Sequence, residues 1–250
     1  MHSFVANVTN ETEKLFLKKK TIFFLVLALL IPLSSAGLVD RFQSGMGIAA
    51  IASADFPLTM LSLFTGILLP LYVFMATADS FSGEWSERTL KLVLVRPISR
   101  FKIFASKQVS LAIYVVFILG LAGLSSILSG LLLGVKGDLM LGWRDTFIAY
   151  GVSVIPILAL ITATVFIAQF FKSGSGALMI CILLFVALQV SGFFFPQISV
   201  YSLTSYTDWY TLWLNGSAMF GKITNVMMFL TACSLLFFTT GFFLFDRKEA

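Results

Sequence analysis

Charged and metal-binding side chains are scarce in this chain of 250 residues. Asp, Glu, Lys and Arg together make up 12% of it, which is about half their share in a soluble domain. His2 is the single histidine, and the two cysteines, Cys181 and Cys233, fall inside apolar runs without metal-site spacing. These shortages argue against a soluble domain, a metal site and a disulfide framework.

Long apolar runs make up most of the chain. Hydrophobic residues account for 58% of it, phenylalanine occurs 27 times, and the mean hydropathy is +0.97. Uncharged runs of about 20 residues predict membrane-spanning helices, and they lack the alternation of an outer-membrane barrel. The six runs are residues 21–39, 57–78, 108–135, 146–171, 177–196 and 225–245. We therefore expect an all-α integral membrane protein, with one transmembrane domain over residues 1–250.

The basic residues indicate the orientation of these spans. With both termini in the cytoplasm, thirteen of the 17 Lys and Arg residues fall in cytoplasmic segments. This positive-inside bias predicts cytoplasmic termini, and it accounts for the net charge of +5 without a nucleic-acid partner. The first run also resembles a signal peptide, but the long polar segment ahead of it favours an uncleaved span.

The six predicted spans contain no Asp, Glu, Lys, Arg or His. Ion-coupled carriers usually need ionisable groups at membrane depth, so a secondary transporter is disfavoured. Intramembrane hydrolysis is disfavoured as well, since no acid–base pair lies at depth. The stretch from Gly216 to Lys222 matches most of a P-loop, but Ile223 stands where the motif needs Ser or Thr. We expect no catalysis, cofactor or metal on this chain.

The polar segment ahead of the first span has the features of a short helix. Thr9 or Asn10 can cap it, Glu11 follows in the first turn, and Lys14 lies towards its end. With Phe16, this pattern predicts an amphipathic helix in the cytoplasmic interface. The alternative is a flexible charged tail.

Residues 197–224, between the fifth and sixth spans, are rich in aromatic side chains. The five Tyr and Trp residues are Tyr201, Tyr206, Trp209, Tyr210 and Trp213. Such a density is typical of the lipid–water interface, so we expect short external or re-entrant helices there. The alternative is an aromatic gate for a ligand.

Residues 79–107 carry nine of the chain's 29 Asp, Glu, Lys and Arg residues. Glu84 and Glu87 open a run with apolar residues at helical spacing, and Pro97 ends it. This pattern predicts a short amphipathic helix that docks a soluble partner in the cytoplasm. The alternative is a solvated loop that contacts anionic lipid.

This stretch resembles the ABC-2 type permeases, the membrane subunits of ATP-binding cassette transporters. Those proteins show an acid, a Gly-Thr-Leu step, leucines, a Pro-x-Ser-Arg motif and a lysine before the third span. The matching residues here are Glu84, Thr89, Leu90, Pro97, Ser99, Arg100 and Lys107. Arg88 departs from the pattern, because it stands at the usual glycine.

The resemblance implies a permease that pairs with a second permease subunit and with two cytoplasmic ATPase subunits, which bind ATP and Mg. It implies a coupling helix between spans 2 and 3 that contacts the ATPase. The implied coupling residues are Glu84, Glu87, Arg88, Thr89, Leu90, Arg96, Pro97 and Arg100. The family's amphipathic helix ahead of the first span would include Glu11, Lys14 and Phe16.

The same resemblance implies export of an amphiphilic, peptide, drug or lipid-like cargo across a bacterial plasma membrane. Two other functions remain open from the sequence. One is a membrane scaffold or immunity protein that binds a partner and moves nothing. The other is an ion-coupled secondary transporter, which the uncharged interior disfavours.

Overall fold

Backbone N–H and C=O groups find no partners in lipid, so long apolar runs fold as helices. The structure, a computed structural model, describes residues 2–46, 56–87, 98–132, 139–195, 197, 202–214 and 220–248. Every regular element in these ranges is helical. The helices are α1 (His2–Leu17), α2 (Lys19–Met46), α3 (Phe56–Ser86), α4 (Arg100–Leu132), α5 (Leu139–Ala168), α6 (Gly174–Phe194), α7 (Thr211–Leu214) and α8 (Phe220–Asp246).

Six of these helices, α2 to α6 and α8, are long and apolar enough to cross a membrane. The predicted six-span, all-α membrane class is therefore confirmed. In the most apolar stretch of each span, half or more of the residues are buried in α3, α4 and α5, against fewer than a quarter in α2, α6 and α8. The bundle is thus built around α3, α4 and α5, and the other three spans expose most of their apolar surface.

Helix α3 is longer than expected and contains two π-helical turns. The sequence predicted that the second span ends at Ala78, but the helix continues to Ser86. The first π turn, Phe64–Leu68, lies just before Pro70, which cannot donate a backbone hydrogen bond. The second is Asp79–Gly83. Each π turn accommodates an extra residue, so it re-aims the side chains that follow it.

The N-terminal helix α1 begins at His2, earlier than the predicted caps. Thr9 and Asn10 lie inside the helix, and the Thr9 hydroxyl donates to the Val5 carbonyl one turn earlier, at 3.1 Å. A side chain bonded in this way does not cap a helix end. The prediction of a helix here is confirmed, and the predicted start was wrong.

α1 runs alongside α4. Asn7 donates to Ser106 at 2.6 Å, while Phe16, nine residues later, packs edge-on against Tyr114 and Phe117. The contacts advance along both helices together, so α1 lies along α4 rather than across it. α1 therefore has a protein partner along its length, and its position at the lipid surface stays a prediction.

Proline in a transmembrane helix releases the carbonyl one turn earlier, because it has no N–H to donate. In α2, Pro32 releases the carbonyl of Ala28. The hydroxyl of Ser125 on α4 donates to that carbonyl at 2.9 Å. A neighbouring helix thus supplies the missing donor and ties α2 to α4 at this level.

The segment between α6 and α8 supplies the same kind of donor to α5. Pro156 releases the carbonyl of Val152, and the indole Nε1 of Trp209 donates to it at 3.1 Å. Short helices are present here as predicted, namely the 3₁₀ turn Leu203–Tyr206 and α7. Trp209 and Tyr210 are buried in protein, and the position of this segment at the lipid–water interface stays a prediction.

Candidate functional site

α1 buries one polar face. Asn7, Glu11 and Leu15, each four residues apart, are all buried against the bundle. A carboxylate in the middle of a buried helix face is costly unless it is paired. Glu11 therefore requires a cationic partner from another element.

That partner is Lys107 of α4, whose side chain is only 1% exposed. Its ammonium group lies 2.9 Å from an oxygen of Glu11 and 2.7 Å from an oxygen of Glu84. Lys107 therefore joins three elements, because Glu11 belongs to α1 and Glu84 to the end of α3. Charge-assisted bonds of this length are among the strongest in proteins.

Lys14 completes the group. Its ammonium lies 3.2 Å from the other oxygen of Glu11 and 3.9 Å from the other oxygen of Glu84. We call Glu11, Lys14, Glu84 and Lys107 the ion cluster; its two acids and two bases balance. Burial by itself raises the pKa of Glu11, but the charges of Lys107 and Lys14 outweigh it and hold that pKa below the ordinary 4.5.

The second π turn of α3 precedes Glu84 directly and makes its own contacts with the bundle. Ser82 within it donates to the carbonyl of Ala168 at the end of α5, at 2.8 Å. A Cβ added to Gly174, at the start of α6, would lie 3.4 Å from the Cα of Gly83. The backbone that aims Glu84 at Lys107 is thus held by α5 and α6.

The end of the chain meets the same end of the bundle. The Arg100 guanidinium, at the start of α4, donates to the carbonyls of Asp246 and Lys248. The Lys248 ammonium lies 5.3 Å from the centroid of the Trp85 ring, a cation–π contact. The ends of α3 and α8 and the starts of α4 and α6 therefore meet here, and we call this region the charged end.

A sequence model of the protein family described as ABC-2 family transporter protein matches residues 7–250 of this chain. The chain belongs to the ABC-2 transporter family. This confirms the resemblance drawn from the charged stretch and the six spans. A comparison with curated proteins gave no match.

In this ABC-2 family chain, part of the predicted coupling set lies within the described residues. Glu84 belongs to α3 and to the ion cluster, so it does not open a separate helix. Glu87 is exposed directly after α3, and Arg100 begins α4. The remaining coupling residues are Arg88, Thr89, Leu90, Arg96 and Pro97. These five, and with them the predicted coupling helix, lie outside the described residues.

Of the residues predicted for the N-terminal helix, all three are in contact with the bundle. Glu11 and Lys14 are members of the ion cluster, and Phe16 packs on α4. The central role of Lys107 was missed, because the sequence offered it only as a basic residue before the third span. The available signal was the four-residue spacing of Asn7, Glu11 and Leu15, which puts an acid in line with a leucine on one face of a helix.

Among the residues that the structure describes, no group of three or more His, Cys, Asp or Glu side chains could hold a metal ion. Two carboxylates with two ammonium groups form a structural ion network. This network holds α1, α3 and α4 together, and displacement of one of these helices would strain its ion pairs.

Proposed function

We propose that this chain is the permease subunit of an ATP-driven ABC transporter, and that it exports an amphiphilic, peptide, drug or lipid-like cargo. The observation that carries the proposal is the ion cluster. Glu84 lies in the last turn of α3, four residues before the segment 88–97, and Lys107 bonds it to α1 and α4. A partner that pulls on this segment displaces Glu84, and the strain passes to two further helices.

The energy comes from a separate subunit. The predicted spans carry no Asp, Glu, Lys, Arg or His, the side chains through which ion-coupled carriers usually bind and release their coupling ion. The chain also lacks a complete P-loop, since Ile223 replaces the required hydroxyl. ATP and Mg therefore bind to a cytoplasmic ABC ATPase, and this chain converts ATPase closure into motion of its spans.

The coupling contact is formed by the exposed Glu87 and the segment that follows it, with Arg88, Thr89, Leu90, Arg96 and Pro97. Arg100 holds the start of α4 to the end of α8, which limits how far the segment moves without moving the bundle. The termini and the charged end lie in the cytoplasm of a bacterial cell, as the basic residues favour. A second permease subunit, identical or related, completes the transporter.

The test is purification of the tagged, full-length chain from its native membranes, followed by reconstitution into vesicles. We expect an ABC ATPase to accompany it, and cargo efflux to require both ATP and that ATPase. Glu87→Lys, which reverses an exposed charge beside the docking segment, should weaken ATPase association about tenfold, equivalent to 1.4 kcal/mol. The matched control is Lys222→Glu, an exposed charge reversal at the start of α8.

Three outcomes contradict the proposal. Flux that follows an ion gradient in vesicles without ATPase makes the protein a secondary carrier. A bound ATPase with no movement of any cargo makes it a scaffold. If the Glu87→Lys and Lys222→Glu variants lose ATPase association equally, Glu87 does not form a specific coupling contact, because the two charges lie at opposite ends of the bundle.

A further inference from the structure

A cavity of about 270 Å³ lies among α3, α5, α6 and α8, and the turn that begins at Ser202 closes part of its wall. Phe74 of α3, Leu160 of α5 and Cys181 of α6 form its buried side. None of the described residues that line it is charged. The cavity is thus an apolar space within the membrane-spanning part of the chain.

The few hydroxyl groups on its wall already have hydrogen-bond partners. Ser202 and Thr204 bond to each other at 2.7 Å, and Thr164 donates to the carbonyl of Leu160 at 2.9 Å. A buried water needs two to four polar partners, and apolar cavities without them stay dry. The cavity therefore suits hydrocarbon better than water or a polar ligand.

The cavity is continuous with the lipid-facing surface. Leu184 and Leu188 of α6 line it and are also exposed. α6 is the least buried of the six spans, so its apolar face is accessible to bilayer acyl chains in the single chain. Acyl chains thus lie directly beside the opening of the cavity.

We propose that this cavity binds one acyl chain of a bilayer phospholipid, inserted past α6 towards Phe74 and Leu160. A volume of about 270 Å³ is slightly below the roughly 300–1,000 Å³ of drug-sized sites, so it admits a single chain and leaves the headgroup outside. The inserted chain restores the dispersion contacts that an empty apolar space lacks. The site is independent of the proposed transport function.

The structure contains an internal comparison. A second apolar cavity, between α4 and α5 beside Gly123 and Tyr150, measures about 60 Å³. That volume is less than a quarter of the volume of the first cavity. It is too small for an acyl chain, so its walls should stay free of lipid.

The test uses the full-length protein in nanodiscs of phosphatidylcholine with a diazirine at the middle of one acyl chain. After irradiation, mass spectrometry maps the residues that carry lipid. We expect adducts on Phe74 and Leu160, which are only 2% and 7% exposed, as well as on lipid-facing Leu183 and Leu235. Adducts on the two lipid-facing leucines alone would overturn the proposal.

A variant that fills the cavity provides the second arm. Ala163→Phe places a ring in the cavity from α5, and it should abolish adducts on Phe74 and Leu160 while those on Leu183 remain. Ala163→Leu, a smaller filling, should reduce them in part and guards against misfolding of the larger variant. Val186→Phe, on the exposed face of α6, is the matched control and should change nothing. Unchanged Phe74 and Leu160 adducts in both filled variants would refute acyl-chain binding in this cavity.

Discussion

Removal of the Lys107 charge should release α1 from the bundle. Lys107→Met keeps most of the side-chain volume but leaves Glu11 and Glu84 facing each other, with side chains 6% and 14% exposed. Breaking a buried ion pair by removing one partner costs about 3–5 kcal/mol. Lys14, which is about half exposed, offers only weak compensation because water screens it. The loss should therefore fall on the contacts that hold α1.

The assay is amide hydrogen exchange of α1 in nanodiscs. An isolated helix of 16 residues is marginal in water, so α1 exchanges rapidly once it leaves α4. A loss of about 3–5 kcal/mol corresponds to at least a hundredfold loss of protection, since each 1.4 kcal/mol is a factor of ten. α6 has no member of the ion cluster, so its exchange should stay unchanged.

A triple variant decides whether charge or packing is responsible. Replacing a complete buried ion group by neutral residues is often neutral or stabilising. Lys107→Met combined with Glu11→Gln and Glu84→Gln should therefore recover most of the protection that Lys107→Met alone loses. If Lys107→Met alone leaves α1 protected, or the triple variant is as damaged as the single one, the ion cluster does not hold α1.

Three further predictions follow from buried polar groups. Trp209→Phe should lower the free energy of unfolding by about 1–3 kcal/mol, because the Val152 carbonyl loses its donor. This loss should be smaller in a Pro156→Ala background, where residue 156 again has a backbone N–H that can donate to that carbonyl. Ser125→Ala should also destabilise the protein, because the Ala28 carbonyl that Pro32 leaves free loses its donor. A melting temperature equal to that of the unsubstituted protein would contradict this. Because the folded-state pKa of Glu11 is lowered, its stabilisation is complete well above pH 4.5 and is lost as pH falls through the lowered value. The distance between spin labels on α1 and α4 should increase over that acid range. An increase already near neutral pH would refute the role given to Glu11.

The number and type of the spans could be predicted from the sequence. Apolar runs free of Asp, Glu, Lys, Arg and His leave helix as the only structure that satisfies the backbone in lipid. The family resemblance was also predictable from the sequence and is confirmed, because it rested on local motifs and on the spacing of the spans. These features depend on neighbouring residues, which a sequence displays directly.

The ends of the helices were predicted less well. α3 continues past Ala78 to Ser86 through a π turn that its contacts with α5 and α6 support. α1 starts before Thr9, since packing on α4 stabilises turns that have no strong local signal. Trp209 is buried because it pairs with the carbonyl that Pro156 releases, a partner distant in sequence.

The sequence by itself determined that this is a six-span helical membrane protein of the ABC-2 kind, and that its charge is concentrated outside the long apolar runs. Only the tertiary structure decided that Glu11, Glu84 and Lys107 form one group, and that an apolar cavity lies among four of the helices. Composition and periodicity act along the chain. Ion pairing and cavity shape depend on atoms that folding brings together from positions about a hundred residues apart, and this proximity arises from packing, which no local pattern encodes.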